Sequence, residues 1–513
     1  FVSGNHFLDL DPDHPKFIEA WDAYVGLVAK AIHQSGLSDN LIAIDLQREP
    51  GFSSVTPYTQ TKYQAYLKDK YLQIDQLNQS WGTDFKSFEK VDNPNSYFLI
   101  PNAYYDWCLF NNQRLMLHFK RMKSQFIDAY KGDAIPPISM TLMNGIHWRD
   151  KSYYSTGYDR ELLMKITEVN GCDTRIYPEA DEHFSLDWQN QSMSFDFQKA
   201  LDPKQPIFDS EWHSVQSVGH VHPVVEAKYL KCALRLATWH GLAGCHLWSY
   251  TGPRDQKDPI YLIGNAMTFP LVLEAYTHES LKINQNFDRV TSFAKSHKPI
   301  AIYYSLPSAV YDGIEYLEVL KKVYRALYFQ DVPVTFVTDQ MLENDVIDQR
   351  QIELLVVPNA RYADSKSIAK IKQIQQKISV VFVGKDCLSQ SPAGSGANRT
   401  PLAPLIQWPI HSNWLDYIEP ATKVLEQAKI TRPFGLSIQD PETKVKTIEA
   451  RFTRFENKNI GYAVNLGKSS VTFSIISQST QQTVSVLDVD TKQEMREITL
   501  QPYEFISFDI VDK

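Results

Sequence analysis

The segment LIAIDLQREPGF (residues 41–52) joins an apolar run of strand length to a charged end that contains Glu49. A helical pattern precedes it, WDAYVGLVAKAIHQSG (residues 21–36), in which apolar residues recur on one face until a glycine ends the run. Four further apolar runs follow, with helical patterns between them, and they end at Met143, Tyr177, Trp212 and Ser249. Buried strands that alternate with helices indicate an α/β fold built on a parallel sheet or barrel.

The chain divides into three predicted units. Residues 1–295 hold five clear strands, which we interpret as strands four to eight of a (β/α)8 TIM barrel; the sequence is thus expected to start in mid-barrel. An unusual open sheet is the alternative. Residues 296–405 alternate strands and helices in a doubly wound α/β pattern that resembles flavodoxin. Residues 406–513 are expected to form a linker and a small C-terminal β-sandwich, because their strand patterns alternate apolar and polar residues.

Composition narrows the class of function. The 513 residues carry a formal net charge of -8, which disfavours a general nucleic-acid binder because such proteins present a basic face. The sequence has no run of 18 apolar residues to predict a membrane span, and its five cysteines lack the spacing of a disulfide scaffold or zinc site. The first strand of the second unit is not followed by GxGxxG, which disfavours nucleotide binding. We therefore expect no cofactor, no nucleic-acid partner and no membrane partner.

Two glutamates at predicted strand ends carry the functional prediction. Glu49 precedes a Pro-Gly turn, and Glu211 lies in PIFDSEWHS (residues 206–214). The strand ends form the active site of a (β/α)8 barrel, and glycoside hydrolysis needs one carboxyl to protonate the leaving oxygen and another to attack or to activate water. An ordinary ion pair is the alternative for each glutamate. Because side chains alternate along a strand, Asp209 and Glu211 are expected on one face and Ser210 on the other.

Other residues near the strand ends are candidates for substrate binding. Tyr177 can hydrogen bond a nucleophilic carboxylate, and Trp248 can lie under a sugar ring, with core packing as the alternative for both. His183, His213 and His246 can line a cleft, but neither HExxH nor paired histidine spacing is present, so we expect no metal. The substrate-binding residues predicted from strand-end placement are Asn144, Tyr177, Trp212, His213 and Trp248.

The insertion that follows Glu49 carries the most specific pattern in the chain. YQAYLKDKYLQIDQLNQSWGTDFKSFEKV (residues 63–91) leads a helix into LN-x-x-WGT-x-F (residues 77–85). With this stretch, the two glutamates and the order of units, the chain resembles the glycoside hydrolases of clan A and most closely family 42, the β-galactosidases. The resemblance covers nearly the whole chain at the level of architecture.

The resemblance implies roles for particular residues. Glu49, on strand four, would be the general acid/base, and Glu211, on strand seven, the nucleophile of a retaining β-glycosidase that cleaves a carbohydrate. The flavodoxin-like unit would mediate trimerisation. Arg48 stands where the family usually has an Asn that contacts the sugar 2-hydroxyl, and a guanidinium donates only and binds anions well. We therefore expect either that Arg48 binds a charged or otherwise unusual sugar or that the active site has diverged. A plant or algal polysaccharide is then as good a candidate substrate as lactose.

Two alternatives stay open at this point. A clan A enzyme of agarase or β-mannosidase type would share the mechanism and differ in substrate. A catalytically weakened relative would bind carbohydrate without cleaving it. A panel of aryl β-glycosides separates the enzymes from the binder, and the sequence predicts no particular compartment.

Overall fold

The computed structural model of the protein describes residues 11–52, 54–92, 100–132, 134–143, 146, 154–176, 181–214, 223–248, 269–392, 404–439 and 445–511. Within these residues the strands form two parallel and two antiparallel sheets. The strands of the parallel sheets alternate with helices along the chain, which confirms the predicted α/β class.

The first sheet has five parallel strands whose spatial order equals their order in the chain. These strands are β1 (Ile44–Arg48), β2 (Ile138–Met143), β3 (Val169–Asp173), β4 (Ile207–Trp212) and β5 (Leu242–Leu247). The helices of this unit are α1 (Pro15–Ser35), α2 (Pro57–Tyr71), α3 (Ile74–Trp81), α4 (Pro101–Tyr130), α5 (Arg160–Met164), α6 (Trp188–Leu201), α7 (Pro223–Trp239), α8 (Pro270–Gln285) and α9 (Phe287–Ala294). All five carboxyl ends therefore meet at one edge of the sheet. In the part of the chain that the structure describes, no helix is long and apolar enough to cross a membrane.

Local sequence explains how these elements start and how closely they pack. The His14 ring accepts a hydrogen bond from the backbone N–H of Lys16 (3.2 Å) at the start of α1, and Gly36 ends the helix with a φ of 67°. At the β2–β3 pair, a Cβ on Gly171 would lie 2.4 Å from the carbonyl oxygen of Met140. Only glycine allows this approach, and so Gly171 fixes the spacing of the two strands.

Strand β3 ends at Asp173, earlier than the predicted end at Tyr177, which lies outside the described residues. The backbone N–H of Thr174 donates to Oδ1 of Asp209 (3.3 Å) rather than to a carbonyl of the neighbouring strand. The ladder is interrupted there and resumes only as an isolated bridge between Arg175 and His213. Asp173 is therefore the last residue of β3, at the edge where the active site is expected.

The second sheet is also parallel, with the order β10-β9-β8-β6-β7. Its strands are β6 (Ile300–Tyr304), β7 (Val334–Thr338), β8 (Leu354–Pro358), β9 (Ser379–Val383) and β10 (Ile406–Trp408). The helices of this unit are α10 (Leu306–Asp312), α11 (Ile314–Tyr328), α12 (Asp339–Glu343), α13 (Val346–Gln349), α14 (Ser365–Ile374) and α15 (Ile418–Gln427). Ile406 of β10 pairs with Val381 of β9, so this sheet continues beyond residue 405, where the second unit is expected to end.

The last part of the chain forms two antiparallel sheets, one with the order β11-β14-β17 and one with the order β12-β13-β18-β15-β16. Their strands are β11 (Phe434–Ile438), β12 (Ile448–Phe455), β13 (Lys458–Asn465), β14 (Val471–Ser477), β15 (Ser485–Asp488), β16 (Glu494–Met495), β17 (Ile498–Leu500) and β18 (Phe505–Val511). Buried apolar side chains from both sheets form one cluster that includes Phe473 and Phe508.

The three units share buried contacts. Trp188 of α6 stacks on Tyr328 of α11 with ring centroids 4.2 Å apart, which joins the first unit to the second. His240, directly after α7, forms two hydrogen bonds to carboxylates. Its Nδ1 bonds Asp196 (2.8 Å) and its Nε2 bonds Glu449 of β12 (3.1 Å). Tyr328 also donates to Glu449, so one buried polar network ties all three units together.

The family-specific stretch after Glu49 is a structural turn. Helix α3 ends at Trp81, and Gly82 follows with a φ of 72°. The side chain of Asn78 accepts from Thr83 Oγ1 (2.9 Å) and from the backbone N–H of Phe85 (2.9 Å), and it donates to the Phe85 carbonyl (2.9 Å). Trp81 is buried and donates its indole N–H to Asp106 (2.9 Å). These residues therefore fix the shape of the insertion.

Candidate active site

The carboxyl ends of β1, β3, β4 and β5 bring together polar side chains. Arg48 is the last residue of β1 and Asp173 of β3, Glu211 lies near the end of β4, and Trp248 follows β5. The structure thus places predicted residues from distant parts of the chain at one edge. This edge is where the active site of a barrel of this type lies.

Glu49 occupies a constrained turn directly after β1. Its φ of 42° is in the left-handed region, which is unfavourable for a residue with a Cβ. The backbone N–H of Glu49 donates to the carbonyl of Thr141 (2.9 Å) on β2, which holds the turn in place. The half-buried Glu49 side chain lies close enough to the Asp173 carboxyl to raise the pKa of Asp173 through hydrogen bonding. The turn therefore brings the Glu49 side chain beside Asp173 of the cluster.

Glu211 lies beside Arg48, with Arg48 Nη1 2.9 Å from Glu211 Oε1. The Glu211 side chain is 12% exposed, whereas that of Arg48 is 49% exposed. Backbone pairing is irregular between Asp209 and Trp212, and Ser210 Oγ contacts Thr141 Oγ1 (2.5 Å). The strict alternation expected along PIFDSEW is interrupted at this irregularity, and so the face of each side chain here could not be read from spacing.

Asp173 is a member of the cluster that the sequence analysis missed. Its side chain is 3% exposed; besides the bond to Glu49, its Oδ1 lies 3.3 Å from His213 Nε2. Burial raises the pKa of Asp173 well above the ordinary value, and the hydrogen bond to Glu49 and the charge of Asp209 raise it further. Burial also raises the pKa of Asp209, which is fully buried, to about 8. An acid at the end of a fully buried strand was the signal available in the sequence.

His213 connects Asp173 to Glu211. Its Nε2 is 3.8 Å from Glu211 Oε2, and its ring lies 5.7 Å, centroid to centroid, from the ring of Trp248. Trp248 is 40% exposed, as expected of an aromatic surface that a ligand can reach. Trp212, in contrast, is fully buried and donates its indole N–H to Gln191 (2.9 Å), on the side of the sheet that faces α6.

Of the other predicted residues, two fall outside the described part of the chain and two lie apart from the cluster. Asn144 and Tyr177 are outside the described residues. His183 contacts the exposed Glu182 (3.1 Å), and the ring of His246 packs against Phe208 with centroids 4.9 Å apart. His183 and His246 therefore do not join the cluster at the strand ends.

Three side chains of the cluster have the donor atoms of a divalent-cation site. Asp173, Glu211 and His213 each offer one ligand atom, and these atoms lie within 4.8 Å of one another. Carboxylate and imidazole donors suit several divalent metals. Arg48 already supplies a positive charge to Glu211 in this arrangement, so a cation at Glu211 would compete with the guanidinium. The expectation that no metal takes part stays a prediction.

Comparison with known proteins relates the part of the chain that holds these residues to one enzyme family. Residues 11–246 match the family model of glycoside hydrolase family 42, described as β-galactosidase. The chain is similar to the glycoside hydrolases of family 42. The match covers the first sheet up to β5 and includes Glu49 and Glu211. None of the curated proteins compared with the chain matches it.

Solved structures of family 42 enzymes share the fold of this family 42-like chain. The apo exo-carrageenase from Bacteroides ovatus is 20% identical, with a TM-score of 0.83 over 99% of this chain and 71% of that chain. A catalytic mutant of the β-galactosidase Gan42B from G. stearothermophilus is 13% identical, with a TM-score of 0.75 over 97% and 82%. The β-galactosidase from Bacillus circulans sp. alkalophilus is 12% identical, with a TM-score of 0.75 over 98% and 83%. At these identities the likeness establishes the fold alone.

Proposed function

We propose that this chain is a retaining β-glycosidase that cleaves β-linked, galactose-containing oligo- or polysaccharides with Glu49 and Glu211. One observation carries the proposal: Asp173 and His213 lie between the two glutamates, because Asp173 is close to Glu49 and His213 Nε2 is 3.3 Å from Asp173 and 3.8 Å from Glu211. Two carboxyls held in one cluster at the strand ends are what the double-displacement mechanism needs. The similarity to family 42 supports a glycosidase in general.

In the first step, a Glu211 carboxylate oxygen bonds to the anomeric carbon while the bond to the leaving oxygen breaks. The Glu49 carboxyl gives its proton to that oxygen, so that the leaving group departs as an alcohol. In the second step, Glu49 takes a proton from water, the water oxygen bonds to the anomeric carbon, and Glu211 is released. Two inversions give net retention, which requires carboxyl groups about 5–5.5 Å apart.

Asp173 is proposed to hold the proton that Glu49 needs. A raised pKa keeps Asp173 protonated near neutral pH, where its carboxyl can pass a proton to the neighbouring Glu49. His213 Nε2 lies 3.3 Å from Asp173 and 3.8 Å from Glu211, where a charged imidazole would interact with both carboxyls. The two residues thus act as positioning groups for the acid and the nucleophile.

Arg48 supports a substrate that carries negative charge. One nitrogen of its guanidinium binds Glu211 and its Nε is 4.0 Å from Asp45, while half of the side chain faces solvent. The exposed N–H groups can bind a sulfate or carboxylate of the sugar, and that anion would draw the guanidinium away from the nucleophile. The fold shared with an exo-carrageenase makes sulfated galactan oligosaccharides the first substrates to test. Agarase-type and β-mannosidase-type activities share the same chemistry.

The finer architecture is part of the same proposal. We propose that the first sheet belongs to a (β/α)8 barrel, with Glu49 after its fourth strand and Glu211 on its seventh. The order β10-β9-β8-β6-β7 supports a flavodoxin-like second unit, and the two antiparallel sheets support a β-sandwich. Trimerisation through the second unit stays a prediction, which light scattering coupled to size-exclusion chromatography tests.

The test combines a panel of aryl β-glycosides and galactan oligosaccharides with three variants. Glu211→Ala and Glu49→Ala are each expected to lower kcat/KM by about 10³-fold or more on unactivated substrates. Azide should rescue Glu211→Ala with an α-glycosyl azide as product and Glu49→Ala with a β-glycosyl azide. Glu182→Ala, at a glutamate whose side chain is 84% exposed, is the matched control and should retain activity.

The outcomes separate the candidate functions. Proton NMR of the first-formed sugar should show the β-anomer, and an α-anomer would contradict the retaining mechanism. A protein that binds galactan oligosaccharides but cleaves no member of the panel would be the non-catalytic relative. Unchanged activity in both glutamate variants would disprove the assignment of the site.

A further inference from the structure

A second cavity lies at the opposite end of the strands from the candidate active site. Its volume is about 680 Å³, and its walls include Pro206 before β4 and Leu242 at the start of β5. Lys298, two residues before β6, and Ile352, two residues before β8, line it from the second unit. The cavity therefore lies at the junction of the two parallel sheets, on the side of their amino-terminal ends.

The ionisable side chains that line this cavity are all basic. Apolar walls come from prolines and aliphatic residues, and no aspartate or glutamate is among the described lining residues. The basic side chains that line the cavity are Lys199, Lys204, Lys295, His297, Lys298 and Arg350.

Three of these cations are held by neutral groups instead of by carboxylates. Lys199 Nζ donates to the carbonyl of Gln205 (3.0 Å) and Lys298 Nζ to the carbonyl of Ala294 (2.7 Å). Arg350 Nη1 donates to the carbonyl of Ala200 (2.6 Å). Among the described residues, no carboxylate forms an ion pair with Lys199, Lys298 or Arg350. Each of the three side chains keeps further N–H groups for a ligand.

The nearby acids are occupied elsewhere. The charge of Asp202 partly offsets the lowering of the pKa of Lys199 and Arg350. Its Oδ1 accepts a hydrogen bond from the backbone N–H of Lys204 (2.9 Å) and forms no ion pair with either cation. Asp196 bonds His240 and Tyr324 in the network between the units. At the rim, Glu353 pairs with His297 (3.1 Å). The floor of the cavity therefore keeps a local excess of positive charge.

The cations influence one another across the cavity. Burial lowers the pKa of Lys298 to about 8; Asp196 opposes this lowering, while the charges of Lys199 and Arg350 add to it. Burial lowers the pKa of Lys199 and of Arg350 as well. A bound anion would relieve this repulsion and return Lys298 to its ordinary charged state.

We infer that this cavity binds a small ligand that carries a phosphate or sulfate group, with Lys199, Lys298 and Arg350 as the residues that contact the oxyanion. A guanidinium and two ammonium groups that converge on one cavity match the charge and the donor geometry of a tetrahedral oxyanion. The apolar walls leave room for the body of an ester, and free phosphate or sulfate presents the same group without it. The site is separate from Glu49 and Glu211, and the inference does not depend on the proposed function.

The experiment is isothermal titration calorimetry of the full chain with inorganic phosphate, sulfate and a hexose 6-phosphate, each against sodium chloride of equal ionic strength. We expect saturable binding of at least one of the three ligands below about 10 mM, with one site per chain. Tighter binding of the hexose phosphate would identify an ester as the ligand, whereas tighter binding of phosphate or sulfate would identify the free anion.

The variants decide whether binding occurs in this cavity. Arg350→Met and Lys298→Met should each weaken binding by at least about tenfold, as expected for the loss of a charge-assisted hydrogen bond. Lys366→Met, at a lysine whose side chain is 77% exposed on α14, is the matched control and should bind like the unmodified chain. Circular dichroism of each variant establishes that it is folded, and Lys199→Met replaces any variant that is not. The inference is wrong if no oxyanion binds, or if the cavity variants and the Lys366 variant bind equally well.

Discussion

Arg48 Nη1 lies 2.9 Å from Glu211 Oε1, so the residue that precedes one candidate catalytic carboxyl neutralises the other. This contact crosses the edge of the sheet from the end of β1 to β4. It holds the Glu211 carboxylate in place before a substrate arrives, but it also occupies an oxygen that the proposed nucleophile would use. A substrate that binds the guanidinium would therefore influence both recognition and reactivity.

Replacement of Arg48 should separate charged from neutral substrates. Arg48→Met is expected to lower kcat/KM for sulfated galactan oligosaccharides by about 10- to 100-fold, because a charge-assisted hydrogen bond to the sulfate is lost. For neutral galactosides the change should be about threefold or less, since the competing contact with Glu211 is lost together with the anion site. Arg48→Lys keeps the charge and should recover part of the activity on sulfated substrates. Equal losses on both substrate classes would argue against a role in anion recognition.

Replacement of Asp173 should change the pH profile more than the activity at the optimum. The raised pKa of Asp173 lets the Asp173–Glu49 pair hold a proton at neutral pH and above. Asp173→Asn cannot supply that proton, so the alkaline limb of kcat/KM should move to lower pH by about one unit or more. Near pH 5 the variant should remain within about threefold of the unmodified chain, because the amide still donates to Glu49.

Two comparisons complete this test. Asp173→Ala removes the hydrogen-bond donor and should lower activity at every pH, which separates positioning from proton sharing. If the Asp173→Asn profile superposes on that of the unmodified chain, Asp173 takes no part in holding the proton.

The success of the sequence analysis depended on how local each signal was. The parallel sheet followed from apolar runs such as residues 41–47, whose length and helical flanks specify strands without tertiary information. Asp173 was missed because the end of β3 depends on a hydrogen bond from Thr174 to Asp209, a residue 35 positions away. The contact between Arg48 and Glu211 spans 163 positions and arises only when the strand ends meet.

The same distinction explains the errors in the limits of the units. β10 is three residues long and follows a stretch rich in Pro, Ser and Gly, so its pattern is too short to indicate a strand. It forms because β9 offers a free edge, which is a tertiary property. The cationic cavity has no sequence signature either, since Lys199, Lys298 and Arg350 belong to three separate segments.

The WGT stretch should matter for stability and only indirectly for catalysis. Asn78→Ala removes three hydrogen bonds that close the turn after α3, and at about 1 kcal/mol each their loss should lower stability by about 2–4 kcal/mol. Differential scanning calorimetry measures this as a lower Tm, while kcat per folded molecule at 25 °C should stay within about twofold. Gln79→Ala, at an exposed residue of the same helix, is the control and should leave the Tm unchanged. A loss of kcat with an unchanged Tm would instead assign the turn to the substrate site.

The buried network between the three units should make stability depend on pH. Burial alone would lower the pKa of His240, but the charges of Asp196 and Glu449 raise it to about 9. A histidine with a raised folded-state pKa contributes stability that is fully present below its ordinary pKa of about 6.5 and is lost as the pH rises through about 9. His240→Asn should therefore lower the Tm most near pH 6, where loss of the buried cation costs about 3–5 kcal/mol, and much less near pH 10.

The lower end of the pH window comes from Glu449. Burial alone would raise the pKa of Glu449, but the charges of Arg451 and His240 lower it to about 2. Its contribution is present above the ordinary glutamate value and is lost as the pH falls toward 2, so the Tm should be highest between about pH 5 and 6.5. Tyr324→Phe, which removes one hydrogen bond to Asp196 and no charge, should lower the Tm by the same amount at pH 6 and pH 9. If His240→Asn shows that same constant difference, His240 is not charged in the folded protein and the network stabilises the junction by hydrogen bonds alone.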